Sequence, residues 1–447
     1  MSAIHTPLND IAPPGGSMAA ADAVHREAVV SRFTTKLAPY LALLYLFLFL
    51  DRTNISFAAL QMNKQLGLSA TAFGLAVGMF SVGYFVFEIP STLMLRRFGA
   101  RRWLARIMIS WGVLSLATAF IQTETSLYAL RFLVGAAEAG FVPGILYYLT
   151  RWIPAAQRGR VIGIFMLGVP MATIVGSPIS GLLLGQNWLG LHGWQWLFIV
   201  ESVPSILLGI SILYVLPEKP ADVTWLTPSN KVWLQRELDG EHARAALLGR
   251  SKLSSALASP IVLMLGLIYL GNGVGLFGTS AFMPLIIRGL GLSYAATGWA
   301  MSFIYVLMAL WMIFWTRHSD KTGERIWHVA GASLLGVACL VGAAAFSQMP
   351  VVAVVWLAMS AILMNPATPS FWNLPPKYLS GAGAAAGIAW ISSIGALGAF
   401  LGPLVLGFAK DHFGGYAGGL LLIALGPLLS GVLTLSLKRH KAFARAV

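Results

Sequence analysis

Residues 96–103 read RRFGARRW and residues 320–327 read DKTGERIW. Gly99, Arg101 and Trp103 return as Gly323, Arg325 and Trp327, each 224 residues later. The first copy follows the second long apolar run of the chain, and the other copy follows the eighth. A match at equivalent places predicts an internal duplication, two halves of six.

The apolar runs around these copies set the fold class. Crossing a hydrocarbon core takes roughly 20 residues of helix, and twelve runs qualify. They are Leu37–Ala59, Ala72–Leu95, Trp103–Phe120, Leu127–Tyr148, Val161–Leu184, Trp196–Tyr214, Ile261–Ile287, Ala295–Trp315, Trp327–Phe346, Val351–Leu374, Ala384–Ala409 and Gly418–Leu437. Each is continuously apolar, whereas barrel strands alternate. Of the 447 residues, 57% are hydrophobic and 10% charged, against about 25% charged in a soluble protein. The expected fold is an all-α integral membrane protein with twelve transmembrane helices in two six-helix halves.

The expected organisation is a disordered cytoplasmic tail over 1–36, a first half over 37–216 and a cytoplasmic linker over 217–260. A second half over 261–437 and a cytoplasmic tail over 438–447 complete it. Trp225, Leu226, Trp233, Leu234 and Leu238 in the linker suggest short amphipathic helices. Residues 1–30 lack the apolar core of a signal peptide.

A formal charge of +14 raises the question of nucleic acid, and the distribution of the 30 lysines and arginines answers it. With loops numbered alternately, 25 fall on one side: Arg26, Arg32, Lys36, Arg96, Arg97, Arg101, Arg102, Arg106, Arg151, Arg158, Arg160, Lys219, Lys231, Arg236, Arg244, Arg250, Lys252, Arg317, Lys321, Arg325, Lys377, Lys438, Arg439, Lys441 and Arg445. The opposite side has Lys64, Arg288 and Lys410. This is the positive-inside bias. It predicts a multi-pass membrane protein with both termini cytoplasmic, and no nucleic-acid partner.

Charges inside the spans point to function. Apart from Arg106 near the start of the third, the charges that lie within them are Asp51, Glu88, Glu138, Glu201, Arg52 and Arg131. One such charge at mid-helix costs about 2.5–3.5 kcal/mol on insertion scales. Arg131 and Glu138 are seven residues apart, two turns and one face of a helix, and counting ~1.5 Å per residue from the middle of each span places Arg52 and Arg131 somewhat outside the midplane and Glu138 near it. If the acids are ionised the cluster is neutral. If they are protonated, Arg52 and Arg131 are left to hold an anion, which couples protons to a carboxylate substrate. Ion pairing that only holds spans one and four together is the alternative, and a poor reason to keep four charges.

The loop signature resembles that of the major facilitator superfamily, Asp-Arg-x-Gly-Arg-Arg after span two. Asp320, Lys321, Gly323 and Arg325 keep much of it, while Arg96 stands at the acidic place of the first copy. FLDRTNISFAAL, GARRWLARIMISWG, LRFLVGAAEAGFVPGILYYLTRWIP, GSPISGLLLG, GWQWLFIVES and AAAGIAWISSIG together resemble the anion:cation symporter family of bacterial organic-acid permeases. That family includes tartrate, sugar-acid and hydroxyphenylacetate symporters. The resemblance implies Asp51 and Glu138 as proton-coupling acids, Arg52 as the anion-binding base and Arg131 as its assistant. Glu201 also matches a family acid, with a structural or gating role expected ahead of the alternative, proton carriage. Arg97, Arg101, Asp320 and Arg325 are gating candidates, and Glu88 either gates or pairs with Arg96 or Arg97.

Further substrate-binding candidates are Tyr45, on the face of Arg52, and Tyr84. Asn365, Ser370, Trp372 and Asn373 in NPATPSFWNLPP are the kind of residues that line a broken helix. In ISSIGA, Ser392 and Ala396 stand where the family often has Asn. The change disfavours a heavily hydroxylated sugar acid and favours a hydroxy-dicarboxylate such as tartrate, or an aromatic acid. The eight histidines lie in loops, tails or span ends, and the lone Cys339 is apolar packing. No metal, no cofactor beyond a proton gradient and no enzyme are expected. The function expected is proton-coupled uptake of a small organic carboxylate by a chain active as a monomer. A sugar-acid or aromatic-acid symporter, or an organic-anion antiporter or exporter, is the alternative, and a membrane-embedded enzyme is the alternative of another class.

Overall fold

The computed structural model describes residues 15–247, 259–379 and 383–438, helical with no strand among them. Arg250, Lys252, Arg439, Lys441 and Arg445, the tail residues 1–14 and most of the C-terminal tail lie outside those residues.

Among the described residues eleven helices are long and apolar enough to cross a membrane: Ala38–Gln65, Ala70–Phe98, Glu124–Thr150, Ala155–Leu183, Gly193–Val215, Pro260–Arg288, Tyr294–Thr322, Ile326–Ala345, Pro350–Tyr378, Gly387–Phe413 and Tyr416–Ser436. The expected third span is present as the helix Ala100–Thr118. Its first two turns carry Arg101, Arg102 and Arg106, which lower its apolarity without breaking the helix. Several helices outrun the expected spans, span eight by reaching Thr322, because apolarity ends where the membrane does and the helix does not.

The duplication extends beyond the two loops. Gly67-Leu68-Ser69 and Gly291-Leu292-Ser293 are again 224 residues apart. In both, a glycine at positive φ, 65° and 84°, turns the chain into a serine that caps the next helix. Ser69 Oγ accepts from Ala72 N at 3.0 Å and Ser293 Oγ from Ala296 N at 3.1 Å, the usual capping arrangement. Gly99 and Gly323 also sit at positive φ, 84° and 67°, which is why glycine recurs in the loop signature.

Three spans are interrupted. Span four stops at Glu138 and restarts at Phe141, with Gly140 left-handed at φ 86°. Pro143 has no N–H to give the Ala139 carbonyl, so the ladder cannot continue there. Span five breaks at Leu167, just before Pro170, and span ten falls into the pieces Pro350–Met364, Ala367–Phe371 and Pro375–Tyr378. Backbone broken at depth is tolerated where it meets a cavity.

Residues 15–36, expected to be unstructured, form a helix over Gly15–Lys36. The Pro and Gly that suggested disorder lie at or before residue 16. Val29, Val30 and Phe33 after them are at most 1% exposed, and Phe33 packs on Trp152. The linker forms a second helix, Pro228–Leu247, joined to the first where His25 Nδ1 meets Asn230 Oδ1 at 2.7 Å.

The two halves share a buried cluster at one end. Ile55, Phe57, Phe73 and Leu197 of the first half join Phe282, Ile304, Leu406 and Ile423 of the second in it. At the end bearing the basic loops each half has a cluster of its own. One gathers around Trp111 and Trp152, the other around Val262, Leu265 and Phe371.

Candidate substrate and proton site

The charged residues of spans one and four come together in the first half. Arg52 Nε donates to Glu138 Oε1 at 2.6 Å and its Nη2 pairs with the same oxygen. The Glu138 side chain is 1% exposed and that of Arg52 26%, so the base reaches toward solvent and the acid lies behind it. Three rings surround the guanidinium, with centroids at 5.3 Å for Phe49, 5.1 Å for Phe80 and 5.1 Å for Tyr84. A cation over an aromatic face is attracted by the ring quadrupole.

Arg131 is more deeply placed. It is 4% exposed, its guanidinium lies 5.2 Å over the Phe80 ring, and its Nε has no acceptor. No carboxylate stands within 4.0 Å of it among the described residues. Seven residues of helix rise about 10 Å, so Arg131 shares a face with Glu138 without reaching it.

Asp51 departs from the expected cluster. It accepts from Trp111 Nε1 at 2.8 Å, Ser115 Oγ at 3.1 Å, Ser205 Oγ at 2.8 Å and Asn54 Nδ2 at 3.3 Å. It has no base within ion-pair reach among the described residues. Neighbouring helix residues point about 100° apart; Arg52 faces Glu138 of span four and the rings of Phe80 and Tyr84 of span two, and Asp51 faces spans three and six.

The other candidates divide. Tyr45 is 5% exposed, stacks on Phe165 at 4.1 Å and has Arg52 and, from the second half, Tyr269 nearby. Trp372 packs edge-on to Tyr269 at 5.1 Å, and Tyr269 stacks on Phe371 at 5.2 Å, an aromatic wall in the second half. Gly395 of span eleven makes room for Tyr269, because a Cβ there would enter its ring. Ser370 is 1% exposed with an unpartnered Oγ, Ser392 is half-buried, and Asn373 turns back to the Pro369 carbonyl at 3.1 Å. Phe80 and Tyr269 went unread in the sequence. Phe80 had a signal, one turn before Tyr84 on the same face.

Comparison with known proteins fits this arrangement. The sequence pattern described as Major Facilitator Superfamily matches residues 41–403. The chain belongs to the major facilitator superfamily. It is a multi-pass membrane transporter and not an enzyme, and transport by this superfamily needs no cofactor. An Agrobacterium vitis protein named "Putative tartrate transporter" is 44% identical over 412 residues, 92% of this chain and 95% of that one. The "Quinolone resistance transporter" of Acinetobacter baumannii is 38% identical over 408 residues, 91% and 94% of the two chains. A bacterial homologue of the lysosomal transporter Spinster, solved inward-facing and occupied, shares the fold with a TM-score of 0.74 at 18% identity, covering 91% of this chain and 97% of that one.

In this major facilitator the two halves meet along helix pairs two–eleven and five–eight. Gly74 lies against the Pro403 backbone and Gly298 against Ser177. Ser302 Oγ donates across to the Ile174 carbonyl at 2.7 Å. Asp411 of the second half caps span two of the first: its carboxylate accepts from Ala70 N at 3.1 Å, Thr71 N at 2.7 Å and Thr71 Oγ1 at 2.6 Å.

The gating candidates sit at the other end. Asp320 pairs with Arg325 at 2.7 Å, and Arg325 also donates to Ser319 Oγ at 2.8 Å. In the first copy Arg97 lies over Phe98 at 5.6 Å, while Glu218, absent from the sequence reading, fills the missing acidic role. It accepts from Ala100 N at 3.1 Å and Arg101 N at 3.2 Å and faces Arg151 at 3.8 Å. Glu88 makes no ion pair with Arg96 or Arg97 within 4.0 Å.

Proposed function

We propose that the chain is a proton-coupled symporter of the anion:cation symporter family, importing a small organic carboxylate, with a hydroxy-dicarboxylate such as tartrate as the best match. The observation that carries this reading is Arg131, a cation 4% exposed with no carboxylate within ion-pair distance among the described residues. A buried charge without a counter-charge is costly, and an anionic substrate supplies one.

Arg52 joins it when Glu138 takes a proton. The ion pair then dissolves, and two guanidiniums around Phe80 present planar donors that suit carboxylates. Proton and anion thereby favour each other's binding. Asp51 does not share in this exchange directly, because it has no basic neighbour to release. The aromatic wall of Tyr269, Phe371 and Trp372 would close the other side of the substrate site. Residues Tyr84, Ser370 and Ser392 remain candidates for hydrogen bonds to it.

The charge bias supports an inner-membrane protein with both termini cytoplasmic, active as a monomer because both halves of the pathway lie in one chain. With that orientation the halves are joined at the outer end by Asp411 and the glycine seams, an inward-facing arrangement, and Asp320–Arg325 and Glu218–Arg151 belong to the cytoplasmic gate. The resemblance to the Agrobacterium vitis relative supports tartrate.

Purified protein in liposomes tests the reading. Labelled tartrate should accumulate when the outside is acidified, and a protonophore should abolish accumulation. Accumulation driven instead by an opposite proton gradient would establish an exporter, the direction that the resistance-named relative makes worth measuring.

A further inference from the structure

The two copies of the duplicated loop differ in what their charges meet. In the second copy Asp320 pairs with Arg325 at 2.7 Å and Glu324 with Lys438 at 3.7 Å. In the first, Arg96, Arg97, Arg101, Arg102 and Arg106 have no carboxylate within 4.0 Å among the described residues. Arg96 stands where the second copy has Asp320, and Glu218 is taken up by the N–H groups of Ala100 and Arg101 and by Arg151. One half neutralises its loop, and the other leaves its cations open.

Four side chains of the first copy are joined ring to cation. Arg97 lies over Phe98 at 5.6 Å, Phe98 and Trp103 stack at 5.5 Å with their planes 12° apart, and Arg106 lies over Trp103 at 4.2 Å. Trp103 is fixed by its Nε1, which donates to Ser91 Oγ at 3.0 Å, and Arg106 by the Ala137 carbonyl of span four, to which its Nη1 donates at 3.3 Å. A guanidinium lying on a ring still offers in-plane N–H donors, whose fork matches a phosphate. The equivalents of Arg97, Phe98 and Arg106 in the second copy are Lys321, Thr322 and Ala330, so this group belongs to the first half alone.

The group stands at the end of an apolar surface. Arg106, Val113 and Phe120 are spaced by seven on span three and all exposed, Val113 at 50% and Phe120 at 60%, so one face of that helix is open along its whole length. Phe98 is 49% exposed. In a membrane-spanning helix such a face meets acyl chains, and Trp and Arg at its end lie at headgroup level. We propose that Arg97, Phe98, Trp103 and Arg106 form a binding site for an anionic phospholipid, whose phosphate accepts from the guanidiniums and whose chains lie along Val113. The phosphate supplies the negative charge that the first loop lacks, and the leaflet at the end bearing the basic loops delivers it. A soluble anion would have no use for the apolar face. Through Arg106 and the Ala137 carbonyl, the bound lipid would bear on span four one residue before Glu138.

Lipid binding here depends on neither substrate nor direction, so it is measured without transport. Delipidated full-length protein in detergent is titrated with phosphatidylglycerol and with phosphatidylcholine of the same chains, and bound lipid is counted by native mass spectrometry. The wild type should prefer phosphatidylglycerol by roughly 10- to 30-fold, as two arginines near a charged headgroup imply. Arg97→Gln with Arg106→Gln should lose that preference, while Lys321→Gln, the same charge change in the second copy, should keep it. Arg96→Asp, which puts back the acid found at Asp320, should lower it too, and decides the matter if the double variant does not fold. Equal affinity for the two lipids, or a preference that survives both Arg96→Asp and the double variant, overturns the site. Inorganic phosphate that displaces phosphatidylglycerol at equal concentration overturns the lipid as its occupant.

Discussion

Arg52 and Arg131 lie over one ring: their guanidinium carbons are 5.1 Å and 5.2 Å from the centroid of Phe80. Of the two, the first alone has a carboxylate partner among the described residues. The pair is thus one proton away from being two unmatched cations around a shared aromatic face.

Removing the unmatched cation should weaken anion binding most. Losing a hydrogen bond to a charged group costs about 1.5–3 kcal/mol, roughly 10- to 100-fold in Kd. Arg131→Ala should lower tartrate affinity by that much, and Arg131→Lys should recover only part of it, because an ammonium lacks the planar fork. Calorimetric titration of purified protein measures both, and affinities equal to the wild type would remove Arg131 from the site.

Binding should also depend on pH with a fixed sign. Protonation of Glu138 frees Arg52, so tartrate should bind more tightly as pH falls, and by linkage binding should take up protons. In Glu138→Gln that carboxyl cannot ionise, so its part of the pH dependence should vanish with affinity held at the acid-side value. A binding curve in Glu138→Gln as steep in pH as the wild type would place the coupling elsewhere.

Asp411 should set the balance between conformations. A carboxylate at a helix N-terminus contributes about 0.3–1 kcal/mol, and up to ~2 kcal/mol in favourable geometry. Asp411→Ala removes that from the state in which the halves touch at Ala70 and Thr71. Spin labels placed across the seam of spans two and eleven should report a shift toward the open form of that end, a few-fold in population. An unchanged distance distribution would mean the glycine contacts alone hold the seam.

Gly298 should be needed for the same closure. A Cβ there would enter the Ser177 backbone, so Gly298→Val should keep spans five and eight apart. The label distances across that pair should lengthen while the thermal stability of each half changes little. Normal closure in Gly298→Val would show that the helices slide to accommodate the side chain.

How far the sequence could be read depended on whether a feature is local. Charges in apolar runs are visible one residue at a time, so Arg52, Glu138 and Arg131 were legible, as were the duplicated loop and the broken tenth span. The break after Glu138 was legible in principle from Gly140 and Pro143. The separation of Asp51 from Arg52 needed the angle between successive helix residues together with which neighbours each side meets. Asp411 and Glu218 were hidden for another reason: each is an ordinary surface acid until the fold brings Thr71 or Ala100 beside it. The helix Gly15–Lys36 was obscured by the Pro- and Gly-rich residues before it, although Val29, Val30 and Phe33 already had helical spacing.

The coupling of Glu138 to Arg52 is tested most directly by comparing two modes of transport in one variant. Glu138→Gln in liposomes should exchange labelled for unlabelled tartrate yet fail to accumulate it under an inward proton gradient, while the wild type does both. Equal accumulation by wild type and Glu138→Gln would contradict the account.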